Sequence, residues 1–108
     1  MKAICIRARL KKGSVDEVRN WFATLKNRME ELLITLSNEG VVVESVFLDS
    51  IGDEHFLIYY MKAKDLDTAF EVFKKSSLPI DIYHKECWQK FCETRDVLEE
   101  LLDVDRIT

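Results

Sequence analysis

The chain has 108 residues, 47% of them apolar, with 20 acidic against 16 basic side chains and a net charge of −4. Three glycines, one proline and 10% aromatics exclude collagenous, low-complexity and disordered classes. The length suits a single domain over residues 1–108. No apolar run approaches the ~18 residues that would cross a bilayer, and the N-terminus lacks a signal-peptide pattern. Cys5, Cys87 and Cys92 form an odd set without a C-x-x-C pair or metal-ligand spacing, so they read as small buried hydrophobes in a reducing cytoplasm.

Residues 3–11 alternate apolar and polar, which predicts a first strand ending at Gly13. Ser14 and Glu17 have capping-box spacing. Val15, Val18, Phe22, Leu25, Met29, Leu32 and Leu36 then predict one amphipathic helix of about six turns, stopped at Gly40 and widened by Trp21, Leu33 and Ile34. Val41–Asp49 and His55–Ala63, rich in β-branched and aromatic residues, predict a hairpin. Asp65 caps an expected second helix through Lys75, and Pro79 opens a third. Val97–Asp103 has helical composition, yet one more strand would complete a ferredoxin-like β-α-β-β-α-β unit. That α+β fold, an antiparallel sheet with helices on one face, is the expected class. Its last strand would place Glu99 and Asp103 beside Arg7 and Arg9, joining an acidic C-terminal segment to a basic first strand.

Both faces of the hairpin are apolar: Val42, Val46 and Leu48 lie opposite Val43 and Phe47, and Phe56, Ile58 and Tyr60 opposite Leu57, Tyr59 and Met61. A monomer seldom leaves such a patch in water, so a symmetric homodimer packed sheet to sheet is expected. The alternative cover is the third helix or the C-terminal segment. With acidic excess and no interleaved aromatics among the N-terminal basic residues, nucleic acid and membrane are not expected partners.

Glu44 is the single charge inside Val41–Leu48 and is either a solvated strand residue or a carboxylate desolvated in a cavity. Asp81 and His84, three apart, share a helix face, where the carboxylate could orient the imidazole for acid–base work. Asp81 also suits the first helical turn without any catalytic role. Tyr59 and Tyr60 point to opposite faces, so one reaches the core and the other a cavity. Arg7, Tyr59, Tyr60, Tyr83 and Trp88 complete the candidate ligand contacts, although Tyr83 and Trp88 equally suit a core. No metal quartet, nucleotide loop or other cofactor motif is present.

Val41–Asp49, Phe56–Met61 and Pro79–Glu86, with the first strand and the Ser14 helix, resemble a family of small bacterial proteins of unknown function. The resemblance covers nearly the whole chain and implies the dimeric α+β barrel, a fold shared with cofactor-free monooxygenases, muconolactone isomerases and sugar mutarotases. It also implies a histidine immediately before the proline, where this chain has Leu78. The leading expectation is a pocket for a small organic molecule. There His84 and Glu44 would transfer protons, Asp81 would orient His84 and Tyr60 would donate a hydrogen bond. The competing expectation is a non-catalytic ligand-sensing or interaction module that dimerises through its sheet.

Overall fold

A computed structural model describes residues 1–107, ordered as β1 (Lys2–Arg9), α1 (Val15–Lys26), α2 (Met29–Glu39), β2 (Val41–Ile51), β3 (Glu54–Ala63), α3 (Leu66–Lys75), α4 (Pro79–Phe91) and β4 (Asp96–Val97). The four strands pair antiparallel in the order β2-β3-β1-β4, which is the ferredoxin-like arrangement expected from the element order. Among the described residues no helix is long and apolar enough to cross a membrane.

Alternation along the strands divides the sheet into two chemically different faces. Ile6 and Ala8 of β1 and Leu57, Tyr59, Met61 and Ala63 of β3 are buried. They pack with Trp21 and Leu25 of α1, Ala69 of α3, and Ile80, Cys87 and Phe91 of α4. A bulge at Val41–Val43 sets the phase of β2, so that Glu44, Val46 and Leu48 share the face of Met61, Tyr59 and Leu57. The hairpin is longer than expected: pairing continues to Ile51 and Glu54 around Gly52, whose φ of +61° is the hand a tight hairpin favours.

The single long helix expected from residue 15 to 36 is instead two helices broken at Asn27 and Arg28. The apolar period runs straight through the break, so periodicity could not reveal it. The two halves serve different neighbours, α1 packing on α4 and α2 on α3 and β2. Arg28 closes the corner through two bonds to Glu31, at 2.6 and 2.8 Å. Leu33 and Ile34 face solvent rather than widening the core stripe. Ser14 does not form a capping box, because its hydroxyl donates to the Lys11 carbonyl. Gly40 ends α2 in the left-handed region as expected, at φ +74°.

The C-terminal strand is shorter than expected and lies earlier. Only Asp96 and Val97 pair with β1, opposite Arg7 and Ile6. Glu99 and Asp103 therefore do not face Arg7 and Arg9. Arg9 pairs with Glu54 at 3.1 Å, and the Arg7 guanidinium lies 3.9 Å from the Phe56 ring centre. The chain is drawn elsewhere by Lys62, a β3 residue on the face turned away from the helices. Only 2% exposed, its ammonium donates to Asp103 at 2.7 Å and to Asp105. A buried cation needs its counter-charges, and these two carboxylates lead the chain off the sheet edge.

Asp65 caps α3 by accepting the Thr68 amide at 2.9 Å. Asp65→Ala is expected to lower unfolding free energy by about 1 kcal/mol, read from urea denaturation with an unchanged slope.

Candidate functional site

A cavity of about 230 Å³ lies between the helix-facing side of the sheet and α2, α3 and α4. Its volume is below the ~300 Å³ at which drug-sized ligand sites begin, which suits a compact ligand. The walls are largely apolar and aromatic, with Ile4, Met61, Phe70, Phe73 and Trp88 among them. Into this shell project Glu39, Glu44, Tyr59, Asp81 and His84.

These polar groups are ordered by one donor. The indole N–H of Trp21 donates to Nδ1 of His84 at 3.0 Å. Indole nitrogen can only donate, so Nδ1 must be the unprotonated nitrogen and the imidazole proton resides on Nε2. Nε2 lies 3.0 Å from the Tyr59 hydroxyl oxygen and donates to it. That leaves the Tyr59 O–H free to point towards the neighbouring Glu44 carboxyl, which its proximity pulls down. The donors therefore run one way, from Trp21 through His84 and Tyr59 to the carboxylate.

The charge states follow from the same contacts. Burial pushes His84 down to about 4, against a smaller opposing pull from Asp81. Its only remaining lone pair is occupied by Trp21, so His84 is neutral near pH 7 and does not act as a proton acceptor there. Burial and the nearby Glu44 carboxylate hold the Tyr59 hydroxyl protonated, well above its usual range. Glu44 is raised chiefly by burial, with the Tyr59 bond pulling it back and Asp81 adding repulsion. Glu39 is pushed up to about 8 by burial, then by the charges of Glu44 and Asp81. At neutral pH the cavity thus holds a protonated carboxyl at Glu39, beside a Glu44 carboxyl that burial and Asp81 raise and Tyr59 pulls back.

Asp81 does not orient His84. Its carboxylate accepts from Thr35 of α2 at 2.7 and 2.8 Å and from Ser76 before α4. It is buried at the first turn of α4, where helix amides favour an anion, and it ties α2 to α4. The tyrosine roles are also exchanged: Tyr59 enters the cavity, whereas Tyr60 pairs with Cys5 and Ser45 on the opposite face. Arg7 lies on that opposite face too, over Phe56. Tyr83 is not part of the cavity wall, while Trp88 is. Leu78 is the N-cap residue of α4 and contributes no wall.

Three participants escaped the sequence reading. Trp21 was hidden in the core stripe of α1, and Thr35 in the polar side of α2. Glu39 did carry a signal, because an acid in the last turn of a helix opposes the macrodipole and needs another reason to be there. Lys85 also borders the cavity, but its ammonium is held by the carbonyls of Phe73, Lys74 and Ser76 at the end of α3. Among the described residues no group of three or more His, Cys, Asp or Glu is arranged to hold a metal ion. Burial pushes the Cys92 thiol up to about 12 and raises that of Cys87 as well.

The chain belongs to the family of unknown function DUF6176, whose model matches residues 1–108. No curated protein matches it significantly in sequence. Among solved structures it is similar to the L-rhamnose mutarotase FA22100 from Formosa agariphila, with a TM-score of 0.67 and 15% identity over 97% of this chain and 100% of that one. It is also similar to the de novo designed ferredoxin-fold protein LFR1, with a TM-score of 0.59 and 12% identity over 100% of this chain and 95% of that one. Likeness at these identities carries the fold and leaves the chemistry to the side chains.

Two measurements test the charge assignment. Imidazole nitrogen shifts should report His84 as the neutral Nε2–H tautomer from pH 5 to 8; a titration midpoint near 6.5 contradicts the Trp21 bond. The folded His84 value lies below the ordinary 6.5, so stability falls as pH drops from 6.5 towards 4, by a total on the order of 3 kcal/mol. Glu39 has the opposite sign, its folded value lying above the ordinary 4.5, and stability is lost as pH climbs from 4.5 towards 8. Glu39→Gln is therefore expected to raise Tm at pH 9 by about 4 °C or more and to leave it nearly unchanged at pH 4.

Proposed function

We propose that this member of the DUF6176 family binds a small uncharged organic molecule in the cavity and catalyses cofactor-free proton transfer of the mutarotase type. The supporting observation is that two carboxyl groups line one cavity in different surroundings: Glu44 beside the Trp21–His84–Tyr59 chain, and Glu39, buried and pushed up to about 8. Carboxyls whose environments set them to opposite proton states divide naturally into base and acid. Anionic ligands would meet Glu44 and Asp81, while of the two cations at the wall the Lys85 ammonium is held by helix carbonyls and the Arg95 guanidinium lies 5.4 Å from the Phe70 ring centre. Hydroxyl groups on an otherwise apolar skeleton match both the acceptors and the aromatic wall. A solved neighbour with this fold being a sugar mutarotase agrees with that choice.

With a cyclic hemiacetal, Glu44 takes the proton of the anomeric hydroxyl as the ring C–O bond breaks, and Glu39 delivers its proton to the ring oxygen. Rotation about the adjacent C–C bond turns the free carbonyl over. Ring closure then returns one proton from Glu44 to the new anomeric oxygen and one from the ring hydroxyl to Glu39. His84 holds Tyr59, and Tyr59 holds Glu44, so neither changes proton state.

The test is NMR saturation transfer between the anomers of L-rhamnose and a panel of other hexoses. The wild-type protein should accelerate exchange for at least one sugar, and Glu44→Gln should slow it by about 10²–10⁴-fold. Ligand-induced shifts of Tyr59 and His84 without faster anomer exchange across the panel would leave a ligand-sensing module and overturn the catalytic reading.

A further inference from the structure

The cavity holds more acid than its own cations balance. Glu39, Glu44 and Asp81 line it from α2, β2 and α4. Asp81 is already engaged, since its oxygens accept from Thr35 and Ser76. Two cations border the wall. The Lys85 ammonium donates to the carbonyls of Phe73, Lys74 and Ser76 at 3.0, 3.2 and 2.9 Å. Arg95 is exposed, its guanidinium set against the Phe70 ring. Neither cation draws Glu39 or Glu44 down; what acts on Glu39 is burial, then the charges of Glu44 and Asp81.

Glu39 itself points to a ligand. It is 7% exposed, it lines the cavity, and no protein donor is among the influences upon it. A donor from outside the chain would compensate such a carboxyl, and a charged donor would also relieve its repulsion by Glu44 and Asp81. A bare metal ion does not suit the site, because among the described residues no three acids, histidines or cysteines are arranged to hold one. The wall suits an organic cation instead, whose body would rest on the faces of Phe70, Phe73 and Trp88.

We propose that the cavity also takes a compact organic ammonium ion, whose N–H groups bond to Glu39 and Glu44 and whose apolar body lies on the aromatic wall, in place of the uncharged ligand. Below about pH 8 the empty cavity holds Glu39 as a carboxyl, whereas the ammonium complex holds it as a carboxylate. Binding therefore expels the Glu39 proton to solvent and strengthens as pH rises. The titratable and charged groups that share the cavity with Glu39 are Glu44 of β2, Tyr59 of β3, Asp81, His84 and Lys85 of α4, and Arg95 ahead of β4; β1 and α3 line it with apolar side chains. Burial holds His84 at about 4 and keeps Tyr59 protonated, so neither changes charge between pH 6 and 8. Glu44 is raised as well, and substitution of Glu39 separates the two.

Calorimetric titration of the full chain with cyclohexylamine, and with cyclohexanol as its uncharged counterpart of similar shape, tests this. At pH 8 cyclohexylammonium should bind more tightly than cyclohexanol by about tenfold or more. Its affinity should rise by about tenfold or more from pH 6 to pH 8, and at pH 7 about one proton should be released, read from the difference in heat between phosphate and Tris buffers. Glu39→Gln should weaken binding at pH 8 and remove the pH dependence, with a thermal melt confirming that it is folded. Equal affinity for the two probes, an affinity indifferent to pH, a Glu39→Gln variant that keeps the pH dependence, or no binding of either probe overturns the proposal. The inference rests on the reading of this cavity as a ligand site and not on catalysis there. Cyclohexylammonium bound without faster anomer exchange for any sugar sinks only the catalysis, and faster exchange without amine binding sinks only the ammonium site.

Discussion

The hydrogen bond from the Trp21 indole to Nδ1 of His84 is the constraint on which the candidate site depends. Because an indole nitrogen can only donate, the bond selects the imidazole tautomer, and the tautomer dictates which way every later proton points. The Tyr59 hydroxyl accepts from His84, which leaves its own proton for the side of Glu44. The same bond joins α1 to α4 across the core, so the proton order of the site and the packing of two helices are one structural fact. Protonating His84 would set two donors against each other. That is why its low proton affinity and the surrounding aromatic cluster of Phe22, Phe73 and Trp21 belong together.

The carboxyl groups show how burial and partners divide identical chemistry. Asp81 receives two hydroxyl groups and a helix terminus, and serves as a strut between α2 and α4. Glu44 has the Tyr59 hydroxyl nearby to pull it back, and Glu39 has only burial and neighbouring carboxylates, which both push it up. The less a buried carboxyl is compensated, the more its charged form is disfavoured. The least compensated one is therefore the group with a proton to give. The break between α1 and α2 matters here, since it lets α2 turn Thr35 and Glu39 inward while α1 presents Trp21.

Lys62 plays a corresponding part on the other face. A lysine buried near the end of a sheet surface demands anions, and Asp103 and Asp105 satisfy it while the fourth strand stays short. The C-terminal chain crosses the open face instead of extending its edge. This leaves Leu102 and Val104, on either side of Asp103, directed outward.

Local sequence determined much of this protein. The antiparallel ferredoxin-like topology, the Asp65 cap, the Gly40 stop, Pro79 at the head of α4 and the two-sided apolar hairpin were all legible, because each rests on residue type and spacing over a few neighbours. Glu44 and His84 were legible as unusual residues in their surroundings. Tertiary structure decided which of them touch. His84 meets Trp21, 63 positions away, and Asp81 meets Thr35, 46 positions away, and no local period encodes such pairings. The helix break at Asn27 lies inside an uninterrupted apolar stripe, and the phase of Tyr59 against Tyr60 depends on which face the helices cover. The opening excess of apolar residues acquires its meaning only there: apolar side chains divide between a closed core and the sheet face turned away from the helices.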